Sequence, residues 1–65
     1  PMNLKSFIEQ IGDEQAAILF GVKPRTTASW RRGERLPRPA QAARIVRQTG
    51  GKVSFEEIYA ARSAA

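Results

Sequence analysis

The stretch DEQAAILFGVKPRTTASWRR, residues 13 to 32, has the pattern of two helices joined by a tight turn. Gly21 follows an apolar run, where a helix commonly ends on a residue with left-handed backbone angles. Pro24 suits the first turn of a new helix, because its missing N–H would have no partner there and its φ angle is already helical. The chain then meets no helix breaker until Gly33. We therefore expect one helix before Gly21 and a second over residues 24 to 32.

The residues before this stretch predict another helix, from about residue 4 to residue 11. Asn3 is a good N-cap, and Gly12 is expected to end the helix. Asp13 would then cap the helix that follows. Four apolar residues fall at positions i, i+3, i+4 and i+7 of one helical stripe, namely Leu4, Phe7, Ile8 and Ile11.

A further helix is predicted after the loop ERLPRP, residues 34 to 39. Its first residue is expected to be Pro39, and Gly50 and Gly51 would end it. The same i, i+3, i+4, i+7 spacing predicts that its buried stripe consists of Pro39, Ala42, Ala43 and Val46.

The C-terminal segment allows two predictions. Ser54 and Glu57 have the spacing of a capping box, and Val53 and Ile58 occupy the positions of a hydrophobic staple, which favours a short fifth helix through Tyr59. Alternation of apolar residues after the Gly-Gly pair is also compatible with a strand. The expected fold is therefore all-α, five short helices in one domain over residues 1–65, and the alternative is an α+β fold with a C-terminal strand or hairpin.

Composition argues against several classes of function. The 65 residues contain no cysteine and no histidine, so the usual zinc ligands, a thiolate nucleophile and the one side chain with an unperturbed pKa near neutrality are missing. We expect no enzymatic activity, no metal and no cofactor. The longest apolar run, AAILF, is far shorter than the roughly 18 residues of a membrane span, and a bacterial cytoplasmic location is expected. Pro1 is an unusual residue before Met2, which we expect to be the natural start.

Positive charge is concentrated in the middle of the chain. Eight basic residues and one acid, Glu34, give residues 23 to 47 a net charge of +7, whereas the whole chain carries +5. Arginine makes up eight of the eleven basic residues, and its forked guanidinium suits phosphate and guanine. This distribution predicts a polyanionic partner.

Residues 13 to 32 resemble the helix-turn-helix of phage Cro and repressor proteins, the lambda Cro/repressor-like family. The resemblance covers about a third of the chain. It rests on four positions together: the small residue at the helix crossing, the turn glycine, the buried residue after it, and the apolar anchor late in the second helix, here Ala17, Gly21, Val22 and Trp30.

The chain departs from that family at two places. Thr27 lies where the family usually buries valine or isoleucine, so we expect either a hydroxyl bonded to a carbonyl one turn earlier or looser packing. Asp13 and Glu14 lie where such proteins often offer a glutamine to a phosphate, so Gln15 is expected to make that contact.

The second helix of the motif has two faces that predict how it binds. Thr27 and Trp30 are expected to point inward. The opposite face is expected to carry Arg25, Ala28, Ser29 and Arg32, since these positions are near neighbours around a helix.

A nine-residue helix, about 13 Å long, fits the major groove of DNA. Arg25 is the best candidate for a bidentate contact to guanine, Ser29 for a hydrogen bond to a neighbouring base, and Ala28 for contact with a thymine methyl. Five further residues are expected at phosphates: Lys23, Thr26, Arg31, Arg35 and Arg38.

Some of these basic residues have simpler interpretations. Arg31 and Arg32 could serve merely to complement the dipole at the end of their helix. Arg44 and Arg47 are expected to be solvated charges. The start of the fourth helix, with Arg38 before it and Gln41 in its first turn, is a possible second anion site.

The resemblance implies binding to double-stranded operator DNA and repression of transcription in a phage or prophage switch, without a small-molecule ligand. It also implies a dimer on a pseudo-palindromic site. We expect a weak homodimer through the C-terminal segment, because Phe55, Ile58 and Tyr59 exceed what a fifth helix needs for its own core. The alternative function is an antitoxin-like protein-interaction module that carries a helix-turn-helix.

Overall fold

Five helices follow one another along residues 2–63, which are the residues that the computed structural model describes. They are α1 (Leu4–Ile11), α2 (Asp13–Phe20), α3 (Pro24–Arg32), α4 (Pro39–Gln48) and α5 (Phe55–Ser63). No strand occurs in this range, so the all-α prediction is confirmed and its α+β alternative is wrong. The predicted domain also includes Pro1 and residues 64–65, which lie outside the described part of the chain. None of the described helices has the length and apolar character needed to cross a bilayer.

Most helix boundaries lie where the local signals predict them. The Asn3 side chain accepts a hydrogen bond from the Ser6 N–H at 2.8 Å and caps α1. Pro24 and Pro39 are the first residues of α3 and α4. Gly21, directly after α2, has a φ of +69° that L-residues rarely adopt. These boundaries follow from the backbone limits of single residues.

The predicted capping role of Asp13 is wrong. Gly12 is the N-cap of α2 and offers no side chain, while Asp13 is the first helical residue. Its carboxylate binds the guanidinium of Arg31 on α3 instead, and one guanidinium satisfies both carboxylate oxygens.

Apolar side chains from all five helices form one core. Trp30 is the large apolar residue that α3 contributes, and its ring lies 6.4 Å from that of Phe20 on α2. The Phe20 ring lies in turn 5.9 Å from that of Phe7 on α1. The remaining buried members are Leu4, Ile8, Ala16, Ala42, Ile45, Val53 and Ile58.

The buried stripe of α4 differs from the predicted one. Pro39 and Ala43 are exposed, and Ile45 is fully buried in their place. The actual stripe has the same i, i+3, i+4, i+7 spacing but begins three residues later, over Ala42, Ile45, Val46 and Thr49. Burying a large isoleucine removes more apolar surface from water than burying an alanine, and this decides the orientation of the helix.

The C-terminal segment is helical, as one of its two predictions required. Ser54 Oγ accepts a hydrogen bond from the Glu57 N–H at 3.2 Å, as the predicted cap requires, but α5 continues past Tyr59 to Ser63. Ile58 is only 2% exposed and belongs to the core. The Tyr59 hydroxyl donates a hydrogen bond to the Pro37 carbonyl at 3.0 Å. Of the three residues expected at a dimer interface, Phe55 is 47% exposed and Tyr59 is half-buried.

Candidate nucleic-acid interface

One side of α3 is fixed to the domain by two residues, as predicted. Trp30 is 6% exposed and Thr27 is fully buried. Both contact α2: the Trp30 ring lies 6.4 Å from that of Phe20, and the Thr27 hydroxyl donates to the Asp13 carbonyl. Because these contacts hold α3 on one side, its other side is presented to solvent in a defined orientation.

The hydrogen bonds of the Thr27 hydroxyl account for a polar side chain at this buried position. Its Oγ1 lies 2.8 Å from the Pro24 carbonyl oxygen, three residues earlier in the same helix, as one of the two expectations requires. It lies equally close, at 2.8 Å, to the carbonyl oxygen of Asp13 on α2. The single hydroxyl proton is shared between these acceptors, so a polar contact joins α3 to the first residue of α2.

A second polar contact joins the same two helices. Arg31 Nε and Nη2 donate to the two carboxylate oxygens of Asp13 at 3.0 and 3.1 Å, and both side chains are about two-thirds buried. Hydrogen bonding from Arg31 lowers the pKa of the Asp13 carboxyl group; the charges of Arg31 and Arg32 act the same way, and partial burial opposes them. Arg31 was expected at a phosphate, but its guanidinium is engaged within the protein.

On the other side of α3, residues from the turn before it, from the helix and from the loop after it line an open concavity of about 680 Å³. We call it the basic concavity. It brings together six of the predicted DNA-contacting residues: Lys23, Arg25, Thr26, Ser29, Arg32 and Arg35. Val22 and Glu34 complete its lining. Its four cations are exposed, and with one acid they give the lining a net charge of +3.

Ser29 is buried, although it was predicted to lie on the outer face of α3. It lines the basic concavity but is only 8% exposed, whereas Arg25 and Arg32 on the same face are exposed and Ala28 is half-buried. The helix phase alone would leave Ser29 outside. The chain turns back directly after α3, where the Glu34 N–H donates to the Ser29 carbonyl at 3.0 Å.

Arg32 and Glu34 form an ion pair at the edge of the basic concavity. Arg32 Nε and Nη2 donate to the two oxygens of Glu34 at 3.0 and 3.2 Å, and about half of each side chain is exposed. Hydrogen bonding from Arg32, followed by its charge, lowers the pKa of Glu34, with smaller contributions from Arg35 and Ser29 and an opposing effect of burial. Sequence reasoning noted Glu34 as the one acid of the basic segment but did not predict this pair.

The other predicted contact residues lie outside the basic concavity. Gln15 is exposed on α2, and Arg38 is exposed directly before α4. The Arg38 N–H donates to Gln41 Oε1 at 2.8 Å, so that oxygen caps α4. Arg44, expected to be a solvated charge, places its guanidinium carbon 3.3 Å from where a Cβ on Gly21 would lie. No local pattern signals this contact, which depends on how α4 packs on α2.

Comparison of the chain with protein-family models, with curated proteins and with solved structures finds no match. The arrangement of the residues themselves is therefore what supports a functional proposal.

Proposed function

We propose that the chain is a sequence-specific binder of double-stranded DNA, in which α2 and α3 act as a helix-turn-helix and α3 enters the major groove. The observation that carries this proposal is the division of α3 into two sides. Thr27 and Trp30 hold one side in the domain, and exposed arginines follow the other side along the basic concavity.

The dimensions of α3 fit this role. Its nine residues span about 13 Å, and the major groove is about 12 Å wide. Arg25 lies exposed in the first turn, the part of a recognition helix that reaches base edges. Its guanidinium would donate two hydrogen bonds to guanine, and the half-buried Ala28 could meet a thymine methyl. Ser29 is too covered for the base contact expected from its sequence position.

Phosphate contacts are proposed at both rims of the basic concavity. Lys23 and Thr26 lie at the start of α3, and Arg35 lies in the loop after it. Arg38 at the start of α4 and Gln15 on α2 would extend the contact along the backbone. Arg31 is not included, because Asp13 already occupies its guanidinium.

Repression in a phage or prophage switch is proposed from the resemblance to Cro-type proteins. A protein bound at a promoter excludes other proteins from it, and needs no ligand to do so.

Two copies on adjacent half-sites, about one helical turn apart, would account for recognition of a pseudo-palindrome. The proposed weak dimer contact now centres on Phe55, since Ile58 and Tyr59 are engaged within the domain.

Selection of binding sites from a random duplex pool tests the central proposal. An enriched common sequence is expected, and a pool that stays random would overturn sequence-specific binding. On the enriched site, Arg25→Ala should cost about 1 to 3 kcal/mol and relax the preference at one or two base pairs. Arg38→Ala should weaken all duplexes alike and reduce the salt slope by about 0.9. The matched control is Arg47→Ala, since Arg47 is exposed near the end of α4 and does not line the basic concavity.

Sedimentation at increasing concentration, with and without the enriched duplex, tests the proposed dimer. Two copies per site are expected, and Phe55→Ser should lower the cooperativity between half-sites. A single copy per site that Phe55→Ser leaves unchanged would rule out this interface.

A further inference from the structure

Glu34 is the one acid among the described residues that line the basic concavity. Its position just after the end of α3 does not stabilise that helix. The Gly33 N–H bonds to the Trp30 carbonyl at 3.1 Å and the Glu34 N–H to the Ser29 carbonyl at 3.0 Å, a Schellman pattern that needs no carboxylate. The end of a helix carries partial negative charge, so an acid directly after it is unfavourable. The reason for a glutamate here therefore lies outside the helix itself.

The Glu34 carboxylate makes with Arg32 the contact that a phosphate would make. Both of its oxygens accept from the guanidinium fork, at 3.0 and 3.2 Å, and arginine binds carboxylate and phosphate with the same bidentate geometry. Because about half of each side chain is exposed, the pair adds little to folding stability. Its main effect is on what else Arg32 can bind.

We propose that Glu34 is an affinity-limiting residue, which occupies Arg32 as an internal substitute for phosphate and so weakens binding of the protein to the DNA backbone whatever the sequence. This inference rests on the proposed function and deepens it. Binding to any duplex depends on phosphate contacts, whereas a specific site adds base contacts from Arg25. A carboxylate that competes with phosphate at Arg32 therefore weakens the backbone contribution to every duplex and leaves the base contacts of Arg25 unchanged.

The size of the effect follows from counterion release. In Glu34→Gln the side chain keeps its shape but loses its charge, so Arg32 is free to bind a phosphate. One additional contact on B-DNA makes the slope of log K against log salt steeper by about 0.9. If the affinities converge near about 1 M salt, this slope corresponds to a gain of about eightfold at about 0.1 M salt.

The test measures binding of the full chain to a fluorescently labelled random-sequence duplex by anisotropy over a range of salt concentrations. Glu34→Gln should bind about eightfold more tightly at about 0.1 M salt, with the steeper slope. The matched control is Glu56→Gln, which makes the same change in net charge at an exposed residue of α5 outside the basic concavity. In an Arg32→Gln background, Glu34→Gln should leave the salt slope unaltered. A general effect of net charge would change the slope in both backgrounds. Far-UV circular dichroism checks that each variant remains helical.

Equal slopes for wild type and Glu34→Gln, or equal gains for Glu34→Gln and Glu56→Gln, would overturn the inference. Weak binding of all variants at low salt would overturn it as well. These outcomes are distinct from failure of the proposed function. If selection finds no common sequence but Glu34→Gln still binds the random duplex more tightly than wild type, the proposal of sequence-specific recognition is wrong and the role proposed for Glu34 is supported.

Discussion

Replacement of Trp30 by alanine tests how α3 is held in the domain. The Trp30 ring is 94% buried and continues the aromatic contacts from Phe7 on α1 through Phe20 on α2. An aromatic side chain buries roughly 150 to 250 Å², equivalent to about 4 to 6 kcal/mol, and tryptophan-to-alanine changes in cores cost about 3 to 5 kcal/mol. A domain of 65 residues is stable by about 3 to 10 kcal/mol. We therefore expect Trp30→Ala to be mostly unfolded or close to it, and to lose DNA binding for that reason.

Urea titration followed by far-UV circular dichroism measures this loss, because Trp30 is the only tryptophan and its fluorescence disappears with the substitution. Trp30→Phe is the control, since it keeps an aromatic ring against Phe20 and should remain folded at a smaller cost. A Trp30→Ala protein with the wild-type helix content and urea midpoint would refute the assignment of Trp30 to the core. If it were also unable to bind DNA, Trp30 would belong to the interface instead.

Three further predictions concern the polar contacts and the turn beside α3. The pKa of Asp13 is lower in the folded state than in the unfolded state, where it lies near 3.8. The ionised carboxylate therefore stabilises the fold above the unfolded-state pKa, and this stabilisation is lost as the pH falls through the lower folded-state pKa. Asp13→Asn should therefore lower the melting temperature at neutral pH, and a difference from wild type that persisted unchanged into acid would contradict this. Arg31→Ala should leave the salt slope of duplex binding unchanged, whereas Arg35→Ala should reduce it by about 0.9 in the same anisotropy assay. Gly21→Ala and Gly33→Ala should each lower the urea midpoint by a similar amount, since φ is positive at both and the one contact of the new Cβ at Gly21, 3.3 Å to the guanidinium carbon of Arg44, is with the end of an exposed side chain that can move.

The helix boundaries show how far local signals reach in this chain. Asn3 caps α1, Pro24 and Pro39 begin α3 and α4, and Gly21 follows α2, each as the sequence predicts. The Ser54 cap also forms, as the helical one of the two predictions for the C-terminal segment required. Such features depend on the backbone limits and hydrogen bonds of residues within one turn of each other, so neighbouring residues are enough to predict them.

Contacts between distant residues could not be predicted in this way. Asp13 and Arg31 are 18 positions apart, and nothing near Asp13 in the chain distinguishes a capping residue from an ion-pair partner. The burial of Ser29 runs against the helix phase of α3, and that of Ile58 depends on the fit of α5 to the core.

The amino-acid sequence by itself determined the five helices, the inward side of α3 and the excess of positive charge in the middle of the chain. Only the tertiary structure decided which of those charges remain available to a partner. Arg25 and Arg35 are exposed in the basic concavity, Arg31 is bound by Asp13, and Arg32 is paired with Glu34. The reason is that a helix forms from interactions within a few residues, whereas the surroundings of a long side chain depend on how separate helices pack.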